Sequence, residues 1–253
     1  MNAVPVRGRY QGVMQILEFN RDKYLAAAVA FCAAAVAWRF LAPMGRAALL
    51  VGAAPLLFWM SASIVVSHYV YDRFPLYDLR WLARALTHSP RRWINIHAGW
   101  DETSGLLAQT FPDAIGEAVD IFDRTVMTEA SIQRARRASD WGMAAIPARY
   151  DALPFENGTV DTVFAIFAAH ELRKHRDRVR LFKEIARILT SNGEFVLVEH
   201  SRDAWNLVAF GPGFLHFFSQ AAWRKAAYEA GLTVRTELAL TPFVHAYFLR
   251  RGR

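Results

Sequence analysis

DALPFENGTVDTVFAIFAAHELRKHRDRVRLFKEIARILTSNGEFVLVEH, residues 151–200, is the stretch whose reading decides the fold. Asp151-Ala152-Leu153-Pro154-Phe155 makes a polar-to-apolar turn, and Glu156-Asn157-Gly158 makes a tight one. Residues 162–167 form an apolar run of strand length. A basic amphipathic helix follows, stopped by Ser191-Asn192-Gly193, and 194–198 is a second apolar strand. Strand, helix and strand over this length make a parallel crossover, whose ligands sit at the carboxyl ends of the strands. Working outward, strands are expected at 93–97, 118–122 and 143–146 upstream, then at 233–240 and 244–249 after a helix over 219–231. The fold class is therefore α/β, with a doubly wound, mostly parallel seven-stranded sheet.

The same stretch resembles the second half of class I S-adenosylmethionine (SAM)-dependent methyltransferases. That branch carries D-A-x-x-L-P-F, F-D-x-V, a histidine and E-x-x-R-x-L-x-P-G-G in this order. The counterparts are Asp151-Ala152-Leu153-Pro154-Phe155, Val160-Asp161-Thr162-Val163, His170 and the run from Glu184 through Arg187 and Leu189 to Gly193. The resemblance covers 91–253 and implies a Rossmann-like domain with SAM as cofactor. It implies cofactor contacts from Asn95, His97, Gly99 and Asp101 after the first strand. Asp120 or Asp123 would hold the ribose, Asp151 and Ala152 the adenine, and Ile166, in the fourth strand, would also contact the cofactor.

The first loop departs from the family. Its usual acid-x-G-x-G-x-G reads Asn95-Ile96-His97-Ala98-Gly99-Trp100-Asp101, which keeps one glycine of three. Glycine there lets backbone approach a ligand without a Cβ in the way. Either His97, Asp101 and Glu102 contact the amino-acid end of SAM instead, or the site has decayed and the domain is a catalytically silent membrane scaffold or binding protein. For transfer, the acceptor must be aligned and a hydroxyl acceptor must lose a proton. His170, at the mouth of the fourth strand, is the first candidate, followed by Glu171, Glu199, His200 and His216. Any one histidine is more often structural, but several at adjacent strand ends improve the case. Cys32 is the only cysteine, which excludes thiolate zinc sites, and no metal site is expected.

With 54% hydrophobic residues and a net charge of +7, the chain calls for a search for membrane segments. Two apolar runs, 24–41 and 47–70, are separated by a short loop containing Pro43, Gly45, Arg39 and Arg46. The expected organisation is a tail over 1–23, a two-helix transmembrane hairpin over 24–70, an interfacial helix and linker over 71–90, and the methyltransferase-like domain over 91–253. More basic residues flank the hairpin than lie in its loop, which puts both termini and the domain in the cytoplasm. The expected reaction is methylation of a lipophilic or membrane-associated acceptor: a phenolic or quinol-like lipid, a polyketide-derived lipid or a phospholipid head group. Membrane is thus a partner, and the hairpin offers a route to homo-oligomers. Nucleic acid is not expected, because no aromatic-basic platform accompanies the charged run 172–180.

Overall fold

The structure, a computed structural model, describes residues 7–137 and 143–252. Four helices precede the sheet: α1 (Gln11–Phe19), α2 (Arg21–Ala37), α3 (Pro43–His68) and α4 (Arg80–Ala85). The domain then runs β1 (Arg92–His97), α5 (Ser104–Thr110), β2 (Ile115–Asp120), α6 (Ala130–Arg137), β3 (Ala145–Pro147) and β4 (Val160–Ile166). It continues through α7 (His175–Ile188), β5 (Leu189–His200), α8 (Ala204–Phe210), α9 (Gln220–Glu229), β6 (Leu232–Ala239) and β7 (Val244–Arg251).

The strands form one sheet in the order β3-β2-β1-β4-β5-β7-β6. β1 to β5 are parallel, and β7 runs antiparallel to both β5 and β6. Phe195, Val196, Leu197 and Val198 of β5 are wholly buried, because helices cover both faces and an alternating polar pattern has no place there. Phe182 and Ile185 of α7 and Trp223 of α9 pack on one face, while Leu82 of α4 and Phe111 pack on the other. Strand order reverses between β1 and β4, and this opens a crevice beyond His97 and Ile166.

β5 begins at Leu189, earlier than expected, because Ser191-Asn192-Gly193 is absorbed into the strand. A Cβ on Gly193 would meet the Asp161 carbonyl oxygen at 3.0 Å, so glycine permits that close approach.

The amino-terminal third differs more from expectation. Among the described residues one helix, not two, is long and apolar enough to cross a bilayer, the one starting at Pro43. α2 has 17 residues and opens on Arg21, Asp22 and Lys23, so the expected two-helix transmembrane hairpin becomes a helical pair with a single candidate span. Residues 71–90, expected as an interfacial helix and linker and equally as the helix that covers the sheet in methyltransferases, break into short turns and α4. Their Leu76, Leu79, Leu82 and Leu86 are buried against the sheet, where they gain more than on a surface. The tail contains α1, which packs on α3 and α6.

Candidate active site

The loop after β1 is organised from within. Asn95 is buried and points its amide nitrogen at Asp101 Oδ1 (3.2 Å), Thr103 Oγ1 (2.8 Å) and Ser104 Oγ (2.8 Å). Asp101 Oδ1 also accepts from the backbone N–H groups of Thr103 and Ser104, at 3.1 and 2.9 Å, and so caps the start of α5. His97 Nδ1 accepts from the Gly99 N–H at 3.0 Å, which leaves the ring proton on Nε2. Burial lowers the His97 pKa, with Arg136 adding to the effect against Asp101 and Asp120. Among the described residues, Asn95 Oδ1, His97 Nε2 and Asp101 Oδ2 are buried without a protein partner. Such atoms call for a ligand or water.

Asp120 ends β2 directly beside His97. Its Oδ1 accepts from the Phe122 N–H at 3.0 Å, and its Oδ2 pairs with Arg136 Nη1 at 2.7 Å. Arg136, from α6, lies over the Phe122 ring at 4.2 Å and against Gly99. Gly99 has φ +98, and a Cβ there would sit 1.9 Å from Arg136 Nη1. The surviving glycine therefore accommodates an arginine in this state.

Not all the predicted cofactor contacts converge. Asp123 accepts from the Thr125 N–H and hydroxyl at 2.8 and 2.6 Å and closes its own turn. Asp151 is paired with Arg149 at 2.9 Å, and Arg180 approaches it at 3.9 Å. The Ala152 N–H is spent on the Arg149 carbonyl oxygen. Ile166 ends β4 opposite Val198 of β5. Asn95, His97, Gly99, Asp101 and Asp120 form the cluster, while Asp123 and the Asp151–Ala152 turn make their hydrogen bonds locally.

A second polar group lies one strand along, after β4. His170 Nδ1 bonds Glu199 Oε2 at 2.8 Å, and the His170 N–H donates to Glu199 Oε1 at 3.1 Å. His170 Nε2 faces Glu171 Oε1 at 3.5 Å, and the His216 ring stands 5.2 Å away, edge to face. Burial alone would lower the His170 pKa, but Glu199 and Glu171 outweigh it and raise it to about 10. His216 is pushed down to about 3 by burial and by the neighbouring His170 and Arg173 charges.

His200 is the exception among the candidate acid-base residues. Its Nε2 bonds the Tyr71 hydroxyl at 2.7 Å, its Nδ1 faces the Phe243 carbonyl oxygen at 3.0 Å, and its ring stacks on Phe217 at 4.7 Å. With both nitrogens engaged and the ring buried, it holds β5 to the segment after α3 and does not face an acceptor.

The sequence reading missed Arg136 as a site residue and missed the cover formed by α1. Arg7 Nη1 and Gln15 Nε2 each donate to Glu102 Oε1 at 2.6 Å, the Tyr77 hydroxyl donates to Glu102 Oε2 at 3.0 Å, and Phe19 stands edge-on to Trp100. The basic last turn of α6 was visible, but nothing local says which arginine turns inward.

The residues present fit the cofactor that the resemblance implies. Asp120 offers a carboxylate for ribose hydroxyls, and the unpartnered Asp101 and His97 atoms offer an acceptor and a donor near it. Arg136 must first release Asp120.

No curated protein sequence matches the chain. Residues 98–197 match the sequence model of the family described as Methyltransferase domain. Among solved structures, a SAM-dependent methyltransferase from Aquifex aeolicus is similar with a TM-score of 0.54 at 14% identity, covering 74% of this chain and 97% of that one. Mitomycin 7-O-methyltransferase MmcR gives 0.54 at 15% identity over 98% of this chain and 74% of its own. Geranyl diphosphate C-methyltransferase from Streptomyces coelicolor A3(2), solved with Mg2+, geranyl diphosphate and S-adenosyl-L-homocysteine, gives 0.51 at 14% identity over 74% and 82%. These matches support SAM as the cofactor. With the strand order, the reversal beside β1 and the acid ending β2 in place, the segment after α4 has the fold of class I methyltransferases, and residues 98–197 within it match the methyltransferase domain model.

Proposed function

We propose that the protein is a SAM-dependent methyltransferase held at a bilayer by its amino-terminal helices and acting on a lipophilic acceptor. The observation that carries the reading is the pair of polar groups at the carboxyl edge of the sheet. Asp120 lies on the cofactor side of β1, and His170 with Glu199 lies beyond β4, in a chain matching the methyltransferase domain model. Bound SAM supplies a methyl group on a sulfonium for in-line displacement. Asp120 would accept from the ribose hydroxyls, with Asp101 and His97 beside it. Oriented by Glu199, His170 directs its Nε2 toward Glu171 and would position the acceptor there.

The membrane part of the reading is supported by α3, whose 26 residues extend about 39 Å against a hydrocarbon core of about 30 Å. Leu50, Val51, Leu57 and Phe58 lie exposed along it. A lipophilic acceptor follows from this location, since tethering raises the local concentration of a membrane-dissolved substrate.

One observation favours a silent scaffold instead: the Arg136 side chain fills the space over Gly99 and neutralises Asp120. Calorimetry with S-adenosylhomocysteine on the detergent-solubilised full chain separates the two. Binding is expected, weakened about tenfold or more by Asp120→Asn and strengthened by Arg136→Ala. Absence of heat at about 1 mM ligand, where even a 4 kcal/mol interaction registers, in both wild type and Arg136→Ala overturns the enzyme reading.

A further inference from the structure

We infer that His170, Glu171 and His216 form a binding site for one divalent first-row transition-metal ion, with an open coordination position toward the acceptor. One ligand atom from each of the three residues lies within 4.8 Å of the others. A tetrahedral ion with bonds of about 2.1 Å needs about 3.4 Å between ligand atoms, so the ion draws the group together modestly. His216 ends the short Gly211–His216 turn with its carbonyl oxygen held by Arg173 Nη1 at 2.5 Å, and its side chain, 28% exposed, turns about its own bonds to close the distance.

Two further observations point to a cation. Glu171 is 6% exposed, yet its Oε2 has no hydrogen-bond partner among the described residues, an arrangement that costs stability unless a donor or a metal completes it. Glu199, whose side chain is 2% exposed, grips His170 Nδ1 and leaves Nε2 directed at Glu171. A carboxylate on the far nitrogen of a ligating imidazole is the usual way to fix its ring and raise its basicity. A salt-bridged imidazolium accounts for the His170–Glu199 contact but leaves the Glu171 oxygen and the His216 ring unexplained.

Two imidazoles and one carboxylate suit zinc, iron(II), cobalt or manganese better than magnesium or calcium, which prefer all-oxygen sets. Three protein ligands leave a position for an exogenous oxygen, as in catalytic rather than structural sites. The role of that position rests on the methyltransferase reading: a hydroxyl acceptor bound there loses its proton more readily and needs no separate base. Metal binding itself does not depend on that reading. No metal site is expected from the sequence, whose single cysteine excludes thiolate ligands, and nothing in it brings His216 to His170.

Full-length protein stripped with chelator and held in detergent is titrated with Zn2+, Co2+ and Mg2+ separately. The same samples are titrated with S-adenosylhomocysteine. Zn2+ and Co2+ are expected to bind one per chain, at least about 100-fold more tightly than Mg2+, with Co2+ developing visible ligand-field bands. Glu171→Gln and His216→Ala each abolish the bands, and Glu199→Gln weakens Zn2+ about 10- to 100-fold. No tighter binding of Zn2+ than of Mg2+, or Co2+ bands unchanged in both Glu171→Gln and His216→Ala, overturns the site. If S-adenosylhomocysteine binds while Zn2+ does not, the metal inference alone fails. If Zn2+ binds and S-adenosylhomocysteine binds neither to wild type nor to Arg136→Ala, the metal site stands and the methyltransferase reading falls.

Discussion

At the scale of single residues, His200 shows how a buried titratable group sets acid stability. Tyr71 from the segment after α3, Asn206 of α8 and the Phe243 carbonyl surround the ring, and charges on His170 and His245 act on it. Burial first, then His170, brings its pKa down to about 4, against 6.5 in an unfolded chain. Above 6.5 the ring is neutral in both states and its bonds stabilise the fold fully. As pH falls from 6.5 to 4 the unfolded chain takes up a proton that the folded one refuses, so stability is lost across that window, on the order of 3 kcal/mol in all. His200→Gln removes the titration. The difference in Tm between wild type and His200→Gln is therefore expected to shrink steadily on acidification through this window. A difference that stays constant with pH would show that His200 is not the group responsible.

At the scale of elements, periodicity and turn chemistry made most of the domain legible. β4 and the apolar half of β5 are uninterrupted runs between turn signals, and α7 puts Val179, Phe182 and Ile185 on one face. Local pattern does not carry long-range partners. α1 lies in the stretch read as a tail, and its docking depends on Glu102, a residue 95 positions from Arg7. Likewise Asp151 has the family's motif and yet turns to Arg149, because an arginine two residues away captures its carboxylate. Glu102 is mostly buried and accepts from Arg7, Gln15 and Tyr77, so α1 is clamped over the loop after β1 by charge-assisted bonds. Arg134 of α6 holds the far end through the Phe19 carbonyl oxygen and Asp22. Glu102→Gln removes the charge with little change of shape and is expected to weaken the clamp by about 1–3 kcal/mol. Hydrogen exchange over residues 11–19 should then quicken about tenfold or more while β5 is unaffected. Unchanged protection of α1 would mean that packing on α3, not Glu102, holds it.

At the scale of the whole molecule, the helical pair and the domain are joined in a way that fixes how a bilayer would meet them. α3 packs along α8, and Trp59 lies against Gly211, so the carboxyl-terminal part of α3 is bound to the domain and its first turns project away. α8 exposes Trp205, Leu207 and Val208, and Leu215 lies exposed just beyond it, an apolar surface beside α3 of the kind that settles among lipid headgroups. α2 carries Leu25, Val29 and Val36 exposed as well, although it is short for a span. If α3 crosses the membrane alone, α2 lies outside the hydrocarbon; if the pair enters together, α2 is immersed and α8 marks the interface. Cys32, exposed on α2 and the only cysteine, allows a nitroxide to be attached without altering the sequence. A second label at Val208→Cys in a Cys32→Ser background reports on α8. In liposomes, immersion of the pair predicts that the Cys32 label is relaxed by oxygen and shielded from a water-soluble nickel chelate, with the Val208 label intermediate between the two relaxants. A Cys32 label open to nickel beside a shielded Val208 label would leave α3 as the lone inserted helix. Both labels open to nickel would remove the bilayer from the proposed function and, with it, the reason for a lipophilic acceptor.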